Sequence, residues 1–286
     1  MSELLKSRIA WSLENLVREA EVTHYPIVPV PDETDINELL PTEYIDAIQA
    51  YVHTGLESDL IEELRGGWYP EDFYSRVTIA FEDQQGNLWY MAIHGLNPSD
   101  RLRNNAIKNR NRIDPNFIAY EVKTAYTVMH QTLTHLGRDE DAGNLALLDF
   151  DDEYGTTGLL MPHLGEDLSS LLSDTEGTTV TWENFVTLFY AGLLSKPVIC
   201  DLDLLGNIVW DSQKGLAFID RGPERGIFDE ISTRTYYIRQ MADNAAILGF
   251  NYYRKLPAEI RAEITPQEWR AIKKSAREER QELGLE

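Results

Sequence analysis

Residues 200–222 read CDLDLLGNIVWDSQKGLAFIDRG. Two short apolar runs, NIVWD at 207–211 and LAFID at 216–220, flank the polar residues Ser212 to Gly215. Short alternating runs around a polar, glycine-containing turn predict a hairpin. Such a hairpin brings Asn207 and Asp220, thirteen positions apart, to its open end. An amide and a carboxylate are the hard oxygen donors that a divalent cation takes beside phosphate oxygens and water. Gly222, two residues after Asp220, permits a sharp turn there.

Upstream, SRVTIAFEDQQGNLWYMAIHG (75–95) contains two strand-like runs around a Gln-Gly-Asn turn. Val77, Ile79 and Phe81 alternate onto one face of the first run, and Trp89, Met91 and Ile93 onto one face of the second. Asp114-Pro115 then reads as a helix start, and Ile118, Val122, Ala125, Met129, Leu133 and Leu136 recur at helical spacing. Two strand candidates follow, NLALLDF and TGLLMPHL, then a short helix at EDLSSLL and a longer one from Thr181 to about Ser195. Helices close the chain, the last opening on Thr265, Pro266 and Glu268 as a capping box. Before all of this, residues 3–20 and the block LPTEYIDAIQAYVHTGLESDLIEELR read as helices, separated by the proline-containing YPIVPVPDETD. The expected organisation is a helical extension over 1–67, a β-rich lobe with one long helix over 68–160, and a mainly helical lobe over 161–286. That is an α+β, two-lobe arrangement.

Bulk properties exclude several classes. The 286 residues, 43% of them apolar, suffice for a sizeable core. With 26 basic against 48 acidic residues the formal charge is −22, which repels nucleic acid and anionic membranes. Cys200 is the single cysteine, so no intramolecular disulfide and no cysteine-built zinc site can form. The six histidines are scattered without ligand spacing. Charged residues interrupt the N-terminal apolar positions, leaving no stretch that reads as a signal peptide or a spanning helix, and a cytoplasmic location is expected. One segment reverses the charge: RLRNNAIKNRNR (101–112) carries five basic residues and no acid, a candidate site for phosphate or another anion.

The segment GNIVWDSQKGLAFIDRG resembles the catalytic core of the protein kinase-like superfamily, including small-molecule kinases of the aminoglycoside phosphotransferase type and compact bacterial effector kinases. The resemblance spans roughly residues 70–255 and rests on the order of elements more than on any one motif. It implies a two-lobe kinase-like fold with an N-terminal helical extension, ATP and magnesium as cofactors, and Asn207 and Asp220 as magnesium ligands, with Arg221 where phenylalanine is commonest. GLLMPHLGEDLSSLL is similar to the hinge strand and following helix, with Met161 as gatekeeper and His163 and Leu164 as the hinge that meets adenine. Glu121 matches the helix glutamate that orients a phosphate-binding lysine.

Three departures qualify the match. The ungapped position of the family's catalytic aspartate is Leu202, flanked by Asp201 and Asp203; either could reach the substrate hydroxyl after a one-residue shift, and Asp203 is preferred. His94 stands where Ala-Ile-Lys would place its lysine, while an actual Ala-Ile-Lys ends at Lys108, thirteen residues before Glu121. No Gly-x-Gly-x-x-Gly precedes the first hairpin. The resemblance therefore implies an ATP- and magnesium-dependent phosphotransferase acting on a protein Ser/Thr hydroxyl, with a pseudokinase binding module or a kinase-like AMP transferase as alternatives. It also implies a protein substrate or partner and allows delivery into another cell as an effector.

Overall fold

The computed structural model describes residues 30–54, 58–64, 76–94, 115–151, 156–168, 180–196, 207–219 and 230–282. The chain divides into two compact units, one holding Pro26–His130 with Arg138–Leu164 and the other Gln131–Gly137 with Gly165–Glu286. Each mixes helices with one open sheet, a mixed α+β construction.

The first unit is built on a five-stranded antiparallel sheet of order β1-β2-β3-β5-β4, comprising β1 (Glu62–Leu64), β2 (Arg76–Glu82), β3 (Leu88–His94), β4 (Ala146–Asp149) and β5 (Thr157–Pro162). β2 and β3 form the hairpin expected from their alternation, in register from Arg76 opposite His94 to Glu82 opposite Leu88. Its turn is closed by one carboxylate: Asp83 accepts hydrogen bonds from the backbone N–H of Gln85 and Asn87, the side-chain amide of Asn87 and the indole N–H of Trp89. Gly86 takes φ +81 there, which a side chain rarely tolerates. Val77, Ile79, Phe81, Trp89, Met91 and Ile93 all face one core. Helix α1 (Ile36–Leu39) and helix α2 (Thr42–Thr54) add Ile36, Tyr44, Ile45, Ile48, Tyr51 and Val52, and β4 and β5 add Ala146, Leu148 and Leu160. The Tyr44 hydroxyl also donates to the Glu82 carbonyl at 2.7 Å.

The sequence predicts continuous helix through LESDLIEELR, but α2 ends at Thr54 and Glu62–Leu64 is a strand. Pairing with β2, from Glu62 opposite Ala80 to Leu64 opposite Thr78, satisfies backbone groups that β2 would otherwise leave open on that side. The long helix between β3 and β4 is α3 (Pro115–His135), with Val122, Ala125, Met129 and Leu133 buried as their spacing predicts. Tyr126, Val128, Thr124, Thr127 and Thr132 are buried too, so more than one stripe is enclosed. A short helix α4 (Asp139–Gly143) leads into β4.

The second unit contains a three-stranded antiparallel sheet, β6 (Glu166–Asp167), β7 (Ile208–Asp211) and β8 (Gly215–Phe218), and helices α5 (Trp182–Leu194), α6 (Glu230–Ile247), α7 (Ala258–Glu263) and α8 (Pro266–Glu282). β6 takes the first two residues of EDLSSLL, which was expected to be a helix; Leu168 is helical, and the segment beyond it is outside the described residues. Thr181 caps α5 by accepting from the Asn184 N–H, while the Asn184 side chain accepts in return from the Thr181 N–H. α6 ends as its sequence allows: the Gly249 N–H donates to Ala246, the Phe250 N–H to Ala245, and Gly249 sits at φ +82. Phe250 then packs on Trp182 and Phe185 of α5. α8 opens with the expected capping box, Thr265 and Glu268 bonding each other's backbone N–H.

α5 and α6 meet at Gly192. A Cβ there would lie well inside van der Waals contact with the Tyr237 side chain, whose hydroxyl donates to the Phe189 carbonyl at 2.7 Å. Gly192→Ala is expected to displace that ring and cost about 1–3 kcal/mol, read as a lower unfolding midpoint.

At the β2–β3 turn, burial tends to raise the Asp83 pKa, but the hydrogen bonds from Asn87, Trp89 and Gln85 outweigh it and hold it at about 2, against an ordinary 3.8. A depressed folded-state pKa stabilises above the unfolded value and loses that stabilisation as pH falls through the folded value. Asp83→Asn should therefore lower stability at neutral pH by about 1–2 kcal/mol. The gap between wild type and variant should close between about pH 4 and pH 2 in denaturant titrations.

Candidate functional site

The β7–β8 hairpin expected at 207–220 is present. Its turn repeats the device at Asp83, with the Asp211 carboxylate accepting from the Gln213 and Lys214 N–H groups at 2.7 Å each and Gly215 at φ +78. The register runs from Asp211 opposite Gly215 to Ile208 opposite Phe218, and the Ile219 N–H donates to the Asn207 carbonyl at 3.0 Å. Asn207 thus stands at the open end of the hairpin, directly across from Ile219. Asp220, the next residue in the chain, lies outside the described residues, as do Asp201 and Asp203. The other edge of β7 carries β6, with Glu166 opposite Trp210 and Asp167 opposite Val209. Gly165 makes that approach possible: it sits at φ +140, and a Cβ on it would be 2.5 Å from the Trp210 carbonyl oxygen.

In the first unit, the end of β5 gathers Met161, His163 and Leu164. Pairing places Met161 opposite Tyr90, Leu159 opposite Ala92 and Thr157 opposite His94. Opposed residues share a face, so these six side chains line the side of the sheet away from the α1–α2 core. Met161 is buried and His163 half-buried, with the His163 ring 5.8 Å from that of Tyr90. The His163 N–H continues the ladder beyond Pro162 by donating to the Leu88 carbonyl at 2.9 Å. Leu164 is 2% exposed, and its carbonyl accepts from Nη2 of Arg138 at 2.8 Å.

Arg138 is itself buried. Its Nε donates to Oδ2 of Asp141 at 2.7 Å, an ion pair whose side chains are 2% and 5% exposed. Nη1 has no hydrogen-bond partner among the described residues. Neither Arg138 nor Tyr90 is singled out by the sequence reading. Tyr90 is signalled only by falling in step with Ala92 and His94, and Arg138 by nothing in its local pattern RDEDAG.

Glu121 lies on α3, where the sequence places it, but its side chain is outside the described residues. Lys108 and the whole basic segment 101–112 are outside them as well. His94 ends β3, two residues after Ala92 on the same face. The structure therefore brings Met161, His163 and Leu164 together with Tyr90, and sets Asn207 beside the residue preceding Asp220. Among the described residues no group of three or more His, Cys, Asp or Glu side chains is placed to hold a metal, and no described helix is long and apolar enough to cross a membrane. No protein-family model matches the chain, and no curated protein matches it in sequence.

The contact of Gly165 with β7 yields a direct test. Gly165→Ala should detach Glu166–Asp167 from β7, since backbone strain and the clash with the Trp210 carbonyl act together, at a cost of about 1–3 kcal/mol. Faster amide exchange in β6 and along the paired part of β7, with α6 and α8 unchanged, is the expected signature.

Proposed function

We propose that the protein is an ATP- and magnesium-dependent phosphotransferase of the kinase-like type, acting on a protein Ser/Thr hydroxyl. The observation that carries the reading is the β7–β8 hairpin, whose register sets Asn207 across from Ile219 and so beside the residue that precedes Asp220. Support comes from the order of elements in the first unit, where a β2–β3 hairpin, the long helix α3 and the antiparallel pair β4 and β5 follow one another as the resemblance implies.

In this reading Met161, His163 and Leu164 meet the base, and Tyr90 adds an aromatic wall beside His163. Leu164 N–H has no hydrogen bond to the described residues and is the donor for a ring nitrogen. An Asn207 amide oxygen and an Asp220 carboxylate fit a hard divalent cation by their chemistry. Magnesium held there would neutralise charge on the phosphate oxygens. Asp203, or Asp201, would orient the acceptor hydroxyl and take its proton, while Lys108 and Glu121 would steady the phosphates. Most of the acceleration would then come from positioning and fixed charge.

One observation favours a second reading, a kinase-like module that binds without transferring phosphate. His94 holds the end of β3, on the face it shares with Ala92, and an ordinary imidazole clamps phosphate less well than a lysine ammonium near neutral pH.

Calorimetric titration with ATP, with and without magnesium, separates the readings. Magnesium-dependent binding that weakens at least about tenfold in Asp220→Ala is expected. Transfer to a protein substrate should then drop by about two orders of magnitude or more in Asp203→Asn, or in Asp201→Asn if that residue serves. Binding without transfer would leave the module reading, and no binding by wild type would overturn both.

A further inference from the structure

Helix α8 segregates its charges. Its bases, Arg270, Lys273, Lys274, Arg277 and Arg280, recur at i, i+3, i+4, i+7 and i+10, which confines them to about 120° of the helix circumference. Its acids, Glu268, Glu278, Glu279 and Glu282, all fall outside that arc. Two of the bases direct hydrogen bonds to carbonyls, which carry no compensating charge: Arg280 donates from Nη1 to Ile247 at 2.6 Å, and Lys273 from Nζ to Asn251 at 3.4 Å. Lys274 meets Glu278 at 3.9 Å with side chains 82% and 65% exposed, an arrangement that leaves both charges open to water. Arg270 and Arg277 are exposed beside it.

The loop after α6 extends this surface. Asn251 lies against Lys273, and the next residue, Tyr252, is 71% exposed, with Nζ of Lys255 over its ring at 5.2 Å from the centroid. Arg254 is exposed as well, and no acid occurs from Gly249 to Ala258.

We propose that the basic flank of α8, with Tyr252 at its margin, is a docking surface for an acidic peptide segment of a partner protein. The chain carries a formal charge of −22, so this flank is a local reversal. At physiological ionic strength charges more than about 8 Å away are largely screened, and the near field decides. The narrowness of the flank selects the ligand. A duplex or vesicle surface broad enough to cover α8, about 10–12 Å across with its side chains, would press phosphates onto Glu278 and the other glutamates as well. A single extended peptide fits along the basic side alone. Bases one turn apart are separated by about 5.4 Å along the helix, close to the roughly 6.6 Å between alternate side chains of a strand. Tyr252 adds a rigid aromatic contact of the kind on which interfaces concentrate their affinity. This docking does not depend on phosphate transfer.

The test is fluorescence anisotropy of a labelled oligoglutamate peptide on the full chain, beside a labelled single-stranded oligonucleotide and sedimentation with phosphatidylserine vesicles. Wild type is expected to bind the peptide and to lose at least about tenfold in affinity between about 0.1 M and 1 M salt, where the Debye length shortens to about 3 Å. Arg270→Glu/Lys274→Glu should weaken binding at least about tenfold, and Tyr252→Ser about threefold. Lys123→Glu/Lys214→Glu changes the net charge equally at exposed positions elsewhere and should stay within about twofold. Should the flank reversal fail to fold by circular dichroism, Arg270→Gln/Lys274→Gln is expected to lose about threefold. A folded flank variant that binds like wild type, or equal losses in the flank and control pairs, overturns the proposal. So does absence of peptide binding by wild type, including the case in which the oligonucleotide or the vesicles bind instead and lose that binding in the flank variant.

Discussion

Antiparallel pairing of β3 with β5 is the constraint on which the first unit depends. These strands are separated in sequence by the whole of α3 and α4, yet six consecutive residue pairs join them, from Trp89 opposite Pro162 to His94 opposite Thr157. Side chains alternate along a strand, so this register decides which residues enter the α1–α2 core and which line the opposite face. A slip of one residue would move Leu160 out of that core and turn Met161 into it. Gly158 guards against the slip, because the Met91 side chain occupies the space a Cβ there would need, with Sδ 2.7 Å away. The same pairing that builds the core thus delivers Met161, His163 and Leu164 together at one strand end.

The buried pair Arg138 and Asp141 has to be understood against that background. Two charges withdrawn from water seldom add net stability over well-packed apolar residues, although removing one partner alone typically costs about 3–5 kcal/mol. What the pair does supply is direction. A leucine at 138 could fill volume, but it could not hold the Leu164 carbonyl. That carbonyl would then lose the hydrogen bond from Nη2 of Arg138.

Much of the fold was legible because its signals are local. The β2–β3 hairpin, α3, α5, the β7–β8 hairpin and the capping box of α8 each announce themselves by periodicity, a turn residue or a cap within a few positions. β1 and β6 did not, for a physical reason: each is two or three residues long and exists because a neighbouring strand offers an open edge. Glu62, Glu63 and Leu64 suit a helix by their own preference, and pairing with β2 overrides it. Of the candidate site, sequence placed Met161 on the strand where it lies, while His163 and Leu164, read as part of that strand, follow its end, and Asn207, read as the start of the next, precedes β7. Arg138 was illegible because its partners are one carboxylate three residues away and one backbone carbonyl twenty-six residues away. A backbone carbonyl leaves no mark in the amino-acid sequence.

The acidity of the chain looks different once its carboxylates are sorted by what they accept. Asp35 takes the Asn37 N–H at a helix start, Asp83 and Asp211 close the two hairpins, and Asp149 takes the Asp151 N–H. Glu268 completes a capping box. In each case the negative charge faces backbone N–H groups that would otherwise lack partners, so these acids serve local geometry. In the stretch 200–222, Asp211 serves its turn, where one carboxylate oxygen accepts from two N–H groups. Asp220 follows Ile219 in the sequence and lies outside the described residues. At least one carboxylate of this acidic stretch therefore serves the hairpin's own geometry.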